Sequence, residues 1–266
     1  MRPLSIQPRP CSRSKVHAMA TVAHHYETHL APVYLWMAGG FEAAVARAES
    51  EIEAVLPDLS PGLTGVDLGA GFGAHTIPLA RRGCSMIALD TSCLLLDELR
   101  RRAEGLPVRA VEADLFSFPR FVSSKADLIL CMGDTLTHLP DRESVETLVA
   151  LAAESLRPGG RFLSTFRDYT AALEGARRFV PVRSDDDRIL TCFLEYAADH
   201  VEVHDLLQER QERHEGETAQ WTLRVSSYRK LRLSPEWMAD RLRAAGFGVR
   251  VEPGLSGMVR VLAIRS

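Results

Sequence analysis

The sequence predicts an α/β fold in which helices flank a central, mostly parallel β-sheet. Three observations predict it. An apolar run at 63–68 leads through a glycine-rich turn to a helix start at 76–80, the pattern of a buried parallel strand followed by a helix. Residues 126–132 are continuously apolar, as expected for a strand covered on both faces. Between 177 and 233 apolar and polar residues alternate between turn signals, which predicts an inserted antiparallel meander.

Hydrophobic spacing and capping residues place the remaining elements around these segments. Ser234 and Pro235 suit the N-cap and the first position of a helix. The full prediction is an aromatic and histidine-rich helix at 21–37 interrupted by Pro32, a helix at 41–56, strands at 63–68, 86–90, 108–114 and 126–132, a helix ending at Arg102, a helix at 145–156, a strand ending at Phe166, the meander, a helix from 235, and closing strands at 249–251 and 259–264.

Composition bounds the class of protein. With 266 residues, 46% hydrophobic and 25% charged, the chain is long enough for one large α/β domain with an insertion. The net charge is -3 with basic and acidic residues interspersed, which argues against a nucleic-acid partner. No apolar run approaches the roughly 18 to 20 residues of a membrane span. Five scattered cysteines without a Cys-x-x-Cys pair predict reduced thiols in a cytoplasmic protein.

The N-terminal part divides into two segments. Residues 1–18 combine prolines, arginines and serines without an acid, and we expect a disordered arm there. A start at Met19 and a transit peptide remain alternative interpretations of it.

His24, His25 and His29 raise the question of a metal site. Adjacent histidines point to different faces of a helix and no other ligand completes a set, so we expect a solvated or lid helix and no metal.

The glycine-rich turn carries the pattern Asp67-x-Gly69-x-Gly71-x-Gly73. Glycine lets backbone N–H groups approach a ligand closely, and a helix N-terminus favours a negative or polar group. The turn is therefore interpreted as a nucleotide cradle. Gly69, Gly71 and Ala74 also fit the dinucleotide fingerprint, so at this point an NAD(P) oxidoreductase stays open.

An acid closes the second strand about 20 residues beyond the glycine loop. Asp90 is placed to accept hydrogen bonds from both hydroxyls of a ribose, because a carboxylate offers two acceptor oxygens and no donor. Asp90 could instead cap the helix that Thr91 and Ser92 open. The loop at 133–141 follows the fourth strand, and in an open α/β sheet such a loop faces the ligand.

Together these features resemble the class I S-adenosylmethionine-dependent methyltransferases. The resemblance rests on Asp67 with its glycines, the acids at 90 and 114, Pro158-Gly159-Gly160 and the terminal hairpin, and it covers roughly 59–266. It implies a Rossmann-like methyltransferase fold, with a mostly parallel seven-stranded sheet whose last strand is antiparallel. It also implies S-adenosylmethionine as cofactor, S-adenosylhomocysteine as product, no metal, lid helices at 19–56 and the β insertion at 170–233, all in one domain at 19–266. The implied cofactor-binding residues are Asp67, Gly69, Ala70, Gly71, Gly73, Asp90, Thr91, Asp114, Leu115, Met132 and Gly133.

Within that superfamily the chain resembles the glycine/sarcosine N-methyltransferases. Three segments carry this likeness: the loop at 133–141 with its His138-Leu139-Pro140-Asp141 end, Arg167-Asp168-Tyr169, and Arg232-Leu233-Ser234. The likeness implies that Arg167 grips a substrate carboxylate, a contact that suits guanidinium. Tyr26, Tyr34 and Tyr169 are further implied substrate residues. The chain departs from the family at two places. It has Asp134 where the family has asparagine, and Pro235-Glu236 where the family has a pair of tyrosines.

The resulting expectation is a methyltransferase that acts on a small molecule, with an amine as the favoured acceptor. Methyl transfer requires donor and acceptor in near-attack geometry, and an amine must be neutral to react. Asp134 and His138 are therefore the candidate catalytic residues, although His138 could instead only hydrogen-bond its loop. The alternatives are an NAD(P)-dependent oxidoreductase and a non-catalytic S-adenosylmethionine-binding protein. We expect no nucleic-acid or membrane partner, and homo-oligomerisation stays open.

Overall fold

The computed structural model describes residues 22–211 and 220–266. The arm expected at 1–18 and residues 212–219 of the predicted meander lie outside these ranges. Within them, no helix is long and apolar enough to cross a membrane.

The regular elements follow the order that the sequence predicts. The strands are β1 (Thr64–Leu68), β2 (Ser85–Asp90), β3 (Val108–Glu112), β4 (Ala126–Cys131), β5 (Leu156–Phe166), β6 (Phe179–Ser184), β7 (Arg188–Tyr196), β8 (His200–Arg210), β9 (Trp221–Leu231), β10 (Phe247–Pro253) and β11 (Val259–Arg265). The helices are α1 (Val22–His25), α2 (Tyr34–Met37), α3 (Phe41–Val55), α4 (Thr76–Arg81), α5 (Cys93–Arg102), α6 (Arg142–Ser155) and α7 (Pro235–Ala244). A π-helical turn (Tyr26–Leu30) and a 3-10 turn (Ala31–Val33) join α1 to α2.

The larger sheet has seven strands in the order β10-β11-β5-β4-β1-β2-β3. The pairs among β1 to β5 are parallel, whereas β11 runs antiparallel to both β5 and β10. The predicted mostly parallel sheet with an antiparallel last strand is therefore confirmed. A doubly wound dinucleotide fold would continue with a parallel strand beside β5.

The strand order reverses at β1, which pairs with β2 on one side and with β4 on the other. Open α/β sheets bind ligands outside the carboxyl ends of the strands at such a switch point. The fold therefore brings the glycine loop after β1 and the loop after β4 to one place.

Apolar layers cover both faces of this sheet. On one face α6 and α7 pack Leu148 and Met238 against Phe162 of β5. On the other face α3 and α4 pack Ile52 and Leu79 against β4 and β5. Because β4 lies between the two layers, its residues 128–131 are all buried, as its continuous apolar run predicts.

The predicted meander forms a separate antiparallel sheet in the order β6-β7-β8-β9. The N-terminal helical segment packs on it through Leu30 and Val33. His25 is fully buried there, with Nε2 3.0 Å from Asp205 Oδ2 and Nδ1 2.7 Å from Ser226 Oγ. His29 is buried as well. Of the two alternatives for this helix, solvated or lid, the solvated one is wrong for these two histidines, because β8 and β9 cover them and supply the polar partners of His25.

Two boundaries differ from the prediction for identifiable reasons. The turn at 158–160 lies inside β5, because Leu156 already pairs with Ala126 and an irregularity then shifts the register. β3 ends before Asp114, because the Asp114 carboxylate accepts the Phe116 N–H and so begins a 3-10 helix at Leu115–Arg120.

Candidate functional site

A cavity of about 440 Å³ lies outside the carboxyl ends of the parallel strands. This volume is in the range of small-molecule sites. The cavity receives residues from the loops after β1, β2, β3 and β4. Among the residues predicted to bind a cofactor, those that line it are Asp67, Gly69, Ala70, Gly71, Asp90, Thr91, Asp114, Leu115, Met132 and Gly133.

The glycine loop presents an open backbone to this cavity at Gly71. Its φ is +54°, and a Cβ added there would meet only Leu95 Cδ1, at 3.9 Å. The loop is fixed beside it, because the Gly69 N–H donates to the Leu89 carbonyl over 2.9 Å. A ligand can therefore approach the Gly71 backbone without meeting a side chain.

Gly73 differs from Gly71 although both belong to the same motif. Its φ is +87°, and a Cβ there would lie 2.3 Å from Leu99 Cδ1, inside the core. Gly73 is not among the residues that line the cavity. Its position permits close packing of the loop on α5.

Asp67 ties β1 to the helix that follows the glycine loop. Its Oδ2 accepts the Thr76 hydroxyl over 2.6 Å, and the side chain is buried. Burial raises the pKa of Asp67, while the Thr76 hydrogen bond opposes the shift. The carboxylate orients the loop and also lines the cavity.

Asp90 holds the glycine loop and the start of α5 together. Its Oδ2 accepts the Gly71 N–H over 2.7 Å, and its Oδ1 accepts the Ser92 N–H over 2.9 Å. The helix N-cap itself is Ser92, whose hydroxyl accepts the Leu95 N–H. An ionised carboxylate has about four acceptor positions, so two hydrogen bonds leave capacity for a ligand diol.

The loop after β4 is anchored through Asp134, whose left-handed φ of +79° is uncommon for a non-glycine residue. Its Oδ1 accepts the Arg167 N–H over 2.9 Å. Its Oδ2 accepts the Lys230 ammonium over 2.5 Å and the Tyr169 hydroxyl over 3.2 Å. Burial acts to raise the pKa of Asp134, but the Lys230 charge and the hydrogen bond from the Arg167 N–H hold it below its usual value. The carboxylate is buried and does not line the cavity.

Lys230 is a site residue that the sequence analysis did not identify. Its Nζ lies 5.8 Å from the ring centre of Tyr169 and 5.6 Å from that of Tyr228. Although burial favours a neutral amine, Asp134 holds the pKa of Lys230 well above its usual value. The alternation of residues along β9 places Tyr228 and Lys230 on the same, inward face. A buried lysine needs a partner for its charge, so this pattern was a signal for a functional or structural role of Lys230.

His138 and Tyr26 form the polar wall of the cavity. Tyr26 Oη lies 3.1 Å from His138 Nε2, and His138 Nδ1 is buried without a hydrogen-bond partner in the described ranges. The imidazole also stacks on Tyr228, at 5.4 Å between ring centres. Burial and the nearby Lys230 charge lower the pKa of His138 to about 3, so the ring is neutral at physiological pH.

The four residues predicted to bind substrate occupy two places. Tyr26 and Tyr34 line the cavity. Arg167 and Tyr169 do not: the Arg167 guanidinium donates to the Ser256 carbonyl over 3.0 Å, and Tyr169 is buried against Asp134. As for metals, no cluster of three or more histidine, cysteine or acidic side chains suited to an ion occurs in residues 22–211 and 220–266.

Comparison with known proteins identifies the domain. Residues 66–160 match the family model described as "Methyltransferase domain". Over these residues the chain is similar to methyltransferase domains. This confirms the resemblance drawn from its motifs, and the sheet order and terminal hairpin agree with it.

Its relatives include methyltransferases of two kinds. The chain is 27% identical over 133 residues to a glycine/sarcosine N-methyltransferase of Halorhodospira halochloris. The aligned region covers 48% of this chain and 50% of that protein. It is 32% identical over 131 residues to a ubiquinone biosynthesis O-methyltransferase of a Methylobacterium species. That alignment covers 45% of this chain and 49% of the relative. The chain thus spans about half the length of these curated relatives.

Solved structures show the same fold over more of the chain. The CcbJ methyltransferase of Streptomyces caelestis aligns with a TM-score of 0.70 at 20% identity, covering 91% of this chain and 97% of that one. The alignment therefore includes the antiparallel sheet region as well as the central sheet.

The contrast between the two glycines gives a first prediction. Gly71→Ala should weaken S-adenosylhomocysteine binding, because its Cβ projects where only Leu95 is near. Gly73→Ala should lower the free energy of unfolding more, because it adds a core overlap to the roughly 1–2 kcal/mol cost of a left-handed residue. Calorimetric titration and urea denaturation of both variants measure the two effects. A larger loss of stability in Gly71→Ala than in Gly73→Ala would refute the assignment.

The buried ion pair gives a second prediction. Lys230→Met should cost about 3–5 kcal/mol of unfolding free energy, because it leaves the Asp134 charge buried without its cation. Combining it with Asp134→Asn should cost clearly less than the sum of the single changes. Urea denaturation of the three variants measures this coupling, with the exposed Arg229→Met on the same strand as control. Additive losses would show that the two groups are not coupled.

Proposed function

We propose that this chain transfers the methyl group of S-adenosylmethionine to the nitrogen of a small-molecule amine. The observation that carries the proposal is that ten of the predicted cofactor residues and the Tyr26–His138 pair line one and the same cavity. The methyltransferase domain supports the transfer reaction, and the chemistry of His138 supports nitrogen as the acceptor atom.

The cavity fits the nucleoside part of this cofactor. Asp90 offers carboxylate acceptors for a ribose diol, and Leu115 and Phe116 offer apolar contact for a base beside Asp114. The backbone at Gly71 leaves room for a closely approaching ligand. When bound, S-adenosylmethionine supplies an electrophilic methyl group, and the chain supplies binding and orientation.

The wall of the cavity that contains Tyr26, Tyr34 and His138 is suited to holding an uncharged amine. Tyr26, Tyr34 and the neutral His138 surround this part of the cavity with aromatic surface. The Asp134 charge is already compensated by Lys230, so this carboxylate is not free to stabilise a protonated amine. We assign to His138 Nδ1 the acceptance of a hydrogen bond from the acceptor N–H, and to Asp134 the positioning of the loop.

The choice between nitrogen and oxygen follows from basicity. Named relatives include both a glycine/sarcosine N-methyltransferase and a ubiquinone biosynthesis O-methyltransferase. A hydroxyl acceptor requires a base that can remove its proton during attack. An imidazole whose pKa is about 3 is a weak base for that task. A neutral amine attacks through its own lone pair and needs no such base, which favours nitrogen.

The proposal is tested by methyl transfer from S-adenosylmethionine to a panel of amines, amino acids and phenols, read by mass spectrometry. We expect methylated amines and equimolar S-adenosylhomocysteine. Methylation of phenols without any amine would overturn the choice of nitrogen, and no transfer to any acceptor would overturn the proposal.

Arg167→Ala should leave the methylation of amines without a carboxylate unaffected, because Arg167 contacts Ser256 rather than the cavity. Selective loss with amino acids would instead assign Arg167 to a substrate carboxylate.

The lowered pKa of His138 predicts the pH profile. Because this pKa is about 3, the ring stays neutral from about pH 5 to 9 and produces no step in kcat/KM near its ordinary value of 6.5. The rate should rise with pH only as the acceptor amine loses its proton. Profiles for two amines of different pKa, in the native chain and in His138→Asn, measure this. An acid limb between pH 6 and 7 that is independent of the amine and disappears in His138→Asn would contradict the account.

A further inference from the structure

One acidic side chain in the cavity has no assigned role. Glu51 of α3 lines the same cavity as the glycine loop and is only 7% exposed. Its Oε2 lies 3.5 Å from His75 Nε2, whereas its Oε1 is buried and lacks a hydrogen-bond partner in the described parts of the chain. Burying a carboxylate oxygen without a partner is costly, so this atom requires an explanation.

Within the described residues, no hydrogen bond satisfies Oε1 of Glu51. The Arg260 guanidinium comes closest to being its partner, but Nη1 lies 3.9 Å from Oε1, beyond hydrogen-bond distance. Arg260 is engaged with Glu252, whose Oε2 accepts its Nη2 over 2.8 Å. Glu51 Oε1 therefore lacks a hydrogen-bond donor among the described residues, in a side chain that lines the cavity.

The position of Glu51 identifies which part of a ligand it would meet. Asp90 and Asp114, the predicted nucleoside contacts, follow β2 and β3 on one side of β1. Helix α3 packs its Ile52 on the other side, over β4 and β5. An elongated ligand with its nucleoside beside Asp90 would therefore extend its other end toward α3.

We propose that Glu51 binds the α-ammonium group at the amino-acid end of S-adenosylmethionine. This inference rests on the proposed function, since it deepens the description of the same cavity. An ammonium carries three N–H donors and no acceptor, and a buried carboxylate oxygen is the complementary group. Arg47, one helical turn earlier on α3, also lines the cavity, and its guanidinium donates to the Ala38 carbonyl.

The test compares three ligands that differ only at the amino-acid end. S-adenosylhomocysteine has both charged groups, its deaminated analogue retains only the carboxylate, and 5′-methylthioadenosine has neither. Affinities are measured by calorimetric titration of the full chain and of Glu51→Gln, which preserves the shape of the side chain. Glu53→Gln is the matched control, because Glu53 lies on the same helix but is exposed and pairs with Arg82.

Glu51→Gln should weaken S-adenosylhomocysteine binding by roughly 10- to 100-fold, the range for a hydrogen bond to a charged group. It should leave the affinities for the deaminated analogue and for 5′-methylthioadenosine unchanged, and Glu53→Gln should leave all three unchanged. Equal losses for all three ligands, or no loss, would overturn the role of Glu51. If the native chain bound none of the ligands, the proposed function itself would fail. A thermal unfolding scan of each variant identifies loss of fold, and Glu51→Asp then repeats the ligand comparison with the charge retained.

Discussion

The ion pair between Asp134 and Lys230 is the contact on which the candidate site depends. Asp134 belongs to the loop after β4 in the parallel sheet, and Lys230 belongs to β9 in the antiparallel sheet. Both side chains are nearly inaccessible, so removing either charge would leave the other uncompensated in a low-dielectric interior. The same carboxylate accepts the Arg167 N–H and the Tyr169 hydroxyl just beyond β5. One side chain thus fixes the ends of two parallel strands relative to the inserted sheet.

The position of the aromatic side chains around His138 depends on this ion pair. His138 lies four residues beyond Asp134 and stacks on Tyr228, which lies two residues before Lys230 on the same face of β9. Tyr228 also stacks on His25, with 4.1 Å between the ring centres, and His25 is held by Asp205 of β8. The N-terminal segment, the loop after β4 and the antiparallel sheet therefore meet at one aromatic cluster. Its burial explains why His138 is neutral.

Local patterns in the sequence were sufficient for the fold and for most of the predicted cofactor residues that line the cavity. The glycine loop, Asp90 and Asp114 are each defined by residues a few positions apart, so strand ends and turns could be read directly. The same motif could not distinguish Gly71, which faces the cavity, from Gly73, which packs on Leu99, because spacing does not report where a missing Cβ would point.

The contacts of Lys230 and Arg167 were harder to predict because their partners are distant in sequence. Lys230 lies 96 positions from Asp134, and no local pattern names the partner of a buried charge. Arg167 was expected to reach a substrate from its place after β5, yet its guanidinium contacts Ser256 in a loop 89 positions away. Glu51 sits on an amphipathic helix, where spacing alone does not separate a solvated acid from one that enters a cavity.

The central claim is that the cavity at the β1 switch point binds S-adenosylmethionine through its nucleoside. The most direct measurement is calorimetric titration of the native chain with S-adenosylhomocysteine and, separately, with NAD. The account predicts saturable binding of S-adenosylhomocysteine at one site per chain and no binding of NAD. Binding of NAD, with S-adenosylhomocysteine unable to compete for the site, would contradict it.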